Sequence, residues 1–177
     1  MNMITKEDIV HQIFPVPVLI TKYPESFEEE FKFIQNLEYI ETIEVDWTRR
    51  NLPSKDSYIL RHKELSKIKD FIYESLDKFT TEILATKQKV VLTQSWCNQN
   101  PPNTEHPSHQ HHNSIISGVL YFKQNSTLPS IQFKKVARYT FDFDTEDLNQ
   151  YNSETFSLPL VDGELVLFPS NLVHAVP

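Results

Sequence analysis

Hydrophobic and polar positions follow two different periods along this chain, and the change between them divides it. Phe27, Phe31, Ile34 and Leu37 recur at helical spacing, and Ser26 followed by Glu29 has the form of a capping box. This predicts a first helix near 26–38. Leu65, Ile68, Ile72, Leu76, Phe79 and Ile83 step along one helical face, with Lys, Asp and Glu opposite, and predict a second helix over 65–83. Ahead of both, "HQIFPVPVLITK" (11–22) reads as an extended segment. Pro15 and Pro17 confine it to a sheet edge or a polyproline-like path.

From about residue 88 the pattern becomes that of strands. "KVVLTQSWCNQN" reads as a strand ending at the turn "NPPN", and "SIISGVLYFK" as another. After the loop "QNSTLPS", "IQFKK" and "RYTFDFD" continue the series. "TEDLNQYNSE" is an acidic, solvated loop, and "VDGELVLFPS" is a turn into a strand. Helices first and antiparallel strands after predict an α+β chain whose second part is a sandwich or barrel. The expected organisation is one domain over 1–177, with helical support over about 1–87 and the β core over about 88–177.

Composition narrows the function classes. The chain has 177 residues, 39 % hydrophobic and 12 % aromatic, enough for a folded core. Its formal charge of -7 argues against nonspecific binding to nucleic acid or to anionic membranes, so neither is an expected partner. No apolar run approaches the ~20 residues of a membrane span. The opening "MNMITKEDIV" carries early acids and no apolar signal core. With a single cysteine, Cys97, the expected setting is the cytoplasm. Cys97 itself reads as a small buried hydrophobe. The two glycines, Gly118 and Gly163, are each expected where a side chain would not fit. No glycine-rich phosphate loop is present.

The chemistry concentrates in "HPSHQHH" (106–112), which holds four of the seven histidines. Pro107 disfavours a helix there. On a strand, residues two apart share a face, so His109 and His111 point together and His112 points away. His106, beyond a proline, reads as part of the incoming loop. An H-x-H pair alone is commonly a surface accident, and a lone histidine after an apolar strand is usually structural. His174, after "GELVLFPSNLV", is nevertheless the candidate third ligand. Two histidines from one strand and a third from a distant one form a facial triad with open metal positions. Where most non-haem iron oxygenases have a carboxylate, this set has His111. Trp47, Trp96 and Tyr58 are candidate pocket residues, though core or rim is the simpler reading. "WTRRN" (47–51) is a small basic spot.

These motifs together resemble the 2-oxoglutarate and Fe(II)-dependent dioxygenases, which are built on a double-stranded β-helix (jelly-roll, cupin-like). More closely they resemble an uncharacterised bacterial and phage family with H-x-H...H. The likeness runs through "IFPVPV", "SWCNQNPP", "HPSHQHHNSIISGVLYF" and "GELVLFPSNLVHAVP". It implies Fe(II) held by His109, His111 and His174, with 2-oxoglutarate as cosubstrate. It implies that Tyr121 touches the far carboxylate of 2-oxoglutarate and that Asn98 faces the cosubstrate. It also implies N-terminal helices packed on one sheet. The superfamily carries an Arg or Lys about ten residues beyond the distal histidine, as a fork for that carboxylate. The sequence ends at Pro177, which leads us to expect a natural chain that continues into a last strand. Failing that, Arg138 or Lys123 must serve, with no positional argument for either. Three neutral imidazoles also weaken selectivity for Fe(II) over Zn or Ni.

Two alternatives stand beside this reading. One is a three-histidine cupin-like metalloprotein that does not use 2-oxoglutarate, although the glycines and following Glu of that pattern are missing. The other is a non-catalytic β-helix binding module. The substrate stays open between a small molecule and a protein side chain, and so does the oligomeric state, homodimer included.

Overall fold

A computed structural model of the chain describes residues 9–40, 51–101, 104–122, 131–135 and 144–176. In chain order the elements are β1 (Leu19–Lys22), α1 (Glu28–Gln35), β2 (Leu52–Pro53), α2 (Ser66–Lys78), β3 (Asn98–Gln99), β4 (His106–His109), β5 (Ile116–Leu120), β6 (Ile131–Lys134), β7 (Thr155–Leu158), β8 (Glu164–Pro169) and β9 (His174–Val176). The strands form a three-stranded sheet ordered β1-β8-β5, a four-stranded sheet ordered β4-β9-β6-β7, and the pair β2-β3. Every ladder between them is antiparallel.

Strand β8 is apolar at consecutive positions because it is covered on both faces. Leu165 and Leu167 join Leu65, Ile68, Leu76 and Phe79 in a core beneath the helices. Val166 and Phe168 point the other way, into a second core with Ile131, Phe133 and Leu160. Helices therefore lie on one side of the three-stranded sheet, and the four-stranded sheet faces its other side. Each of these side chains stabilises the fold by about 1.5–3 kcal/mol through burial.

The helices follow their predicted stripes with altered ends. Helix α1 starts after Phe27 with no side-chain cap, so the expected Ser26 capping box does not form. Glu29 instead pairs with Lys32 at 2.8 Å, within α1. Helix α2 continues into a π-turn over Phe79–Ile83, where the Leu84 N–H donates to the Phe79 carbonyl at 3.0 Å. The Thr80 and Thr81 hydroxyls donate to the Leu76 and Asp77 carbonyls and compete with the regular ladder. The wider turn keeps Phe79 at 0 % exposure and leaves Ile83 at 43 %, off the stripe.

The strand expectations are met unevenly. Only Leu19–Lys22 of the 11–22 segment forms a strand, at the sheet edge where its prolines allow one. Strands β5 and β6 fall within the predicted segments "SIISGVLYFK" and "IQFKK". "KVVLTQSWCNQN" does not form the long strand expected. It contributes β3 and a bridge between Tyr58 and Ser95, because it lies against an irregular 52–59 loop. That loop satisfies it piecewise, with Ser54 N–H to the Cys97 carbonyl at 2.8 Å and Ile59 N–H to the Ser95 carbonyl at 3.0 Å. Strand β7 was not anticipated: its four residues alternate polar and apolar, but the run is short and three of the four are exposed, Phe156 among them. The stretch 145–154 is exposed for the most part, as a solvated loop should be. Trp47, Lys123, Arg138, the loop 124–130 and all but the last residue of "RYTFDFD" lie outside the described residues. No helix among the described residues is long and apolar enough to cross a membrane.

Both glycines answer to close approach. Gly163 sits at φ +81° against Phe27. A Cβ on Gly118 would lie 2.6 Å from Leu167 Cδ2 and 3.3 Å from the Val166 carbonyl oxygen. Leu167 is packed from the helix side and has little room to yield. Gly118→Ala should therefore cost about 1–3 kcal/mol by overpacking, read as a lower urea midpoint at unchanged slope.

Candidate metal centre

The pairing of β4 with β9 brings the histidines together. His109 lies opposite His174 and His106 opposite Val176, so three steps along β4 match two along β9. This is a β-bulge, with one extra residue in β4. His174 and Val176 share a face of the sheet, and directly opposed residues share a face as well. The bulge thus turns both His106 and His109 to the side of His174. His106 is the first residue of a strand and not the loop residue the sequence suggested. The proline that seemed to exclude it sits inside the bulge.

His111 lies just past the end of β4 and is held differently. Its N–H donates to the Ser170 carbonyl at 3.0 Å. Ser170, at the end of β8, is tied to Ser117 of β5 by a hydroxyl contact of 2.8 Å. The three-stranded sheet thus anchors His111, while the four-stranded sheet carries His109 and His174. His112 is exposed in the following turn, as expected.

Second contacts fix the imidazoles. His109 Nδ1 lies 2.8 Å from the Pro107 carbonyl oxygen, and His174 Nδ1 lies 2.9 Å from that of Leu172. A carbonyl can only accept, so each Nδ1 carries the proton and each Nε2 keeps its lone pair. His174 is 3 % exposed and meets the Phe168 ring edge-on at 4.8 Å between centroids.

One nitrogen from each of His109, His111 and His174 lies within 4.8 Å of the others. A shared ion about 2.1 Å from each would bring them within about 4.2 Å, so small ring rotations close the set. Burial, then Leu172 in the opposite sense and the neighbouring histidines, set His174, whose pKa is lowered to about 4. Burial first and the same neighbours lower His106 to about 4. Burial and then His109 lower His111 as well. At neutral pH these rings are uncharged, the form that ligates a metal. The residues present fit a first-row divalent ion with all-nitrogen protein ligands. Among the described residues no carboxylate completes the cluster.

The other candidates divide. Tyr121 packs against the core that contains Phe133 and Phe168, the two rings beside His174. Burial raises its phenol pKa. Asn98 bonds to Asn51, whose Nδ2 donates to its Oδ1 at 3.1 Å, and makes no hydrogen bond to a histidine among the described residues. Trp96 approaches His111 edge-on at 5.8 Å. Tyr58 instead lines a separate cavity of about 190 Å³ with Arg61, Lys69 and Tyr73. Cys97 is half-buried against the helix-side core, and burial raises its thiol pKa, as suits a packing residue.

Residues 94–177 match the family described as "Putative 2OG-Fe(II) oxygenase". The matched segment spans β3 to β9 and carries all three convergent histidines. The match supports an enzyme of the oxygenase class. No curated protein matches the chain.

The lowered pKa values have a consequence for the metal-free chain. Between about 6.5 and about 4, unfolded histidines bind protons while His106 and His174 in the fold do not. Unfolding then takes up protons, so stability falls as pH falls across that window and levels off below it. Urea melts in chelator should show this decline, and it should be shallower in His174→Leu. An equal slope in both would contradict the assignment.

Proposed function

We propose that this chain, whose residues 94–177 belong to the 2OG-Fe(II) oxygenase family, is a 2-oxoglutarate-dependent dioxygenase that hydroxylates a small molecule or a protein side chain. The observation that carries this reading is the convergence of His109, His111 and His174 with the Nδ1 of two of them tied to backbone carbonyls. We read the facing sheets as a double-stranded β-helix with the histidines at one end.

In this reading the Nε2 lone pairs of His109 and His174, with a ring nitrogen of His111, would hold Fe(II). The bound iron supplies oxygen activation coupled to decarboxylation of 2-oxoglutarate. The protein's part is to position and to shield. Pro107 and Leu172 anchor one end of two ligands and fix their tautomers through their carbonyls. Phe168 and Phe133 keep water from the buried side of His174. Tyr121 donates its phenol to the far carboxylate of 2-oxoglutarate, a role supported by its place in the same core. Trp96 forms a wall beside His111 against which a substrate can rest. The earlier role for Asn98 finds less support, since its side chain is engaged by Asn51.

One observation favours a second reading. The ligand set has no carboxylate, which also suits a three-histidine metalloprotein that does not use 2-oxoglutarate. Anaerobic addition of 2-oxoglutarate to the Fe(II)-loaded chain separates the two. A weak visible charge-transfer band is expected, and its absence together with tight Zn binding would favour the second. His174→Ala should abolish both Fe(II) uptake and succinate release. Succinate release that survives the substitution would place the chemistry elsewhere.

A further inference from the structure

We infer that His106 is a positioning residue of the metal centre: stacked on His109, it sets the tilt of that ligand without binding the ion itself. The inference rests on the metal-centre reading and deepens it. The His106 and His109 rings lie 4.2 Å apart between centroids with their planes 22° from parallel. An imidazole ligates through a lone pair that lies in its ring plane. An ion in the plane of His109 therefore lies well outside the plane of His106. The two rings cannot both hold one ion while they remain stacked.

His106 is instead a flat support on one side of His109. His174 approaches His109 from a different direction, at 4.3 Å and 53°, and His111 meets it at 5.0 Å and 90°. His109 is thus enclosed by three rings, of which two are proposed co-ligands and one is not. The Pro107 carbonyl fixes its proton and one end of the ring. That contact leaves rotation about the hydrogen-bond direction, and the stacked ring of His106 restrains it. The bulge in β4 makes this arrangement possible, because regular alternation would send residues 106 and 109 to opposite faces.

The test separates an aromatic face from a ring nitrogen and from mere volume. Co(II) is titrated into the metal-free full-length chain, and affinity and the visible d–d spectrum are read for wild type, H106F and H106L. H106L fills space without a ring and should weaken Co(II) about tenfold, at the low end of what outer-shell partners of metal ligands contribute, with a shifted spectrum. H106F keeps the face and should stay close to wild type. Should H106L not fold, H106Q takes its place, since it also lacks a ring. Wild-type affinity and spectrum in the ring-less variant would overturn the inference. So would an H106F as weak as H106L, because the nitrogen would then be what matters. A wild-type chain that takes up no Co(II) would overturn the metal-centre reading, and this inference with it.

Discussion

The site depends on one extra residue in β4. Because three steps from His106 to His109 are matched against two from Val176 to His174, a short strand presents two histidines on one face. Without that bulge, His109 could face His174 only by sending His106 away. The Pro107 carbonyl, inside the bulge, accepts from His109 Nδ1 and fixes its tautomer. A local irregularity therefore sets both the membership of the cluster and the tautomer of one member. The rest of the fold keeps β9 in place opposite it, with Phe133 of β6 paired to His174 on the other side.

Strand β8 couples this arrangement to the helices. Its alternate residues enter two cores, so Leu165 and Leu167 rest on α2 while Phe168 rests on His174. Its last turn supplies the Ser170 carbonyl that holds His111. Two of the convergent histidines thus hang from one sheet and the third from the other. Packing between the sheets fixes their separation, and close-packed cores resist small displacements of this kind.

Much of this was legible in the sequence, and the reasons for the remainder are physical. Helix α2 carries a clear apolar stripe and β8 an uninterrupted apolar run, so both stand out in the sequence. The pair His109 and His111, and the distant His174, could be named from spacing and family likeness. The argument for the pair assumed an unbroken strand, whereas His111 is placed by a loop hydrogen bond to Ser170. The same assumption assigned His106 to a loop. A bulge has no periodic signature, so nothing in "HPSHQHH" distinguishes it from regular alternation. Strand β7 escaped for a different reason: it is an edge with exposed side chains, held by its backbone pairing with β6. The capping box failed because the chain at Ser26 enters one residue early, with Phe27 at the helix boundary.

The all-histidine set has an electrostatic consequence that the usual carboxylate set lacks. On the proposed reading, three neutral imidazoles would leave the full charge of a divalent ion in the site, and a bound ion would be the largest local charge. A dianionic cosubstrate such as 2-oxoglutarate would bring the centre to neutrality, where a carboxylate ligand would leave it negative. On the proposed reading, metal and cosubstrate therefore reinforce one another more strongly here than in the two-histidine, one-carboxylate arrangement. The same charge explains why the surrounding histidines must remain neutral. A protonated His106 beside the ion would oppose it, and the burial that lowers its pKa keeps that ring uncharged at neutral pH. On the proposed reading, burial that keeps these imidazoles uncharged suits a carboxylate-free centre.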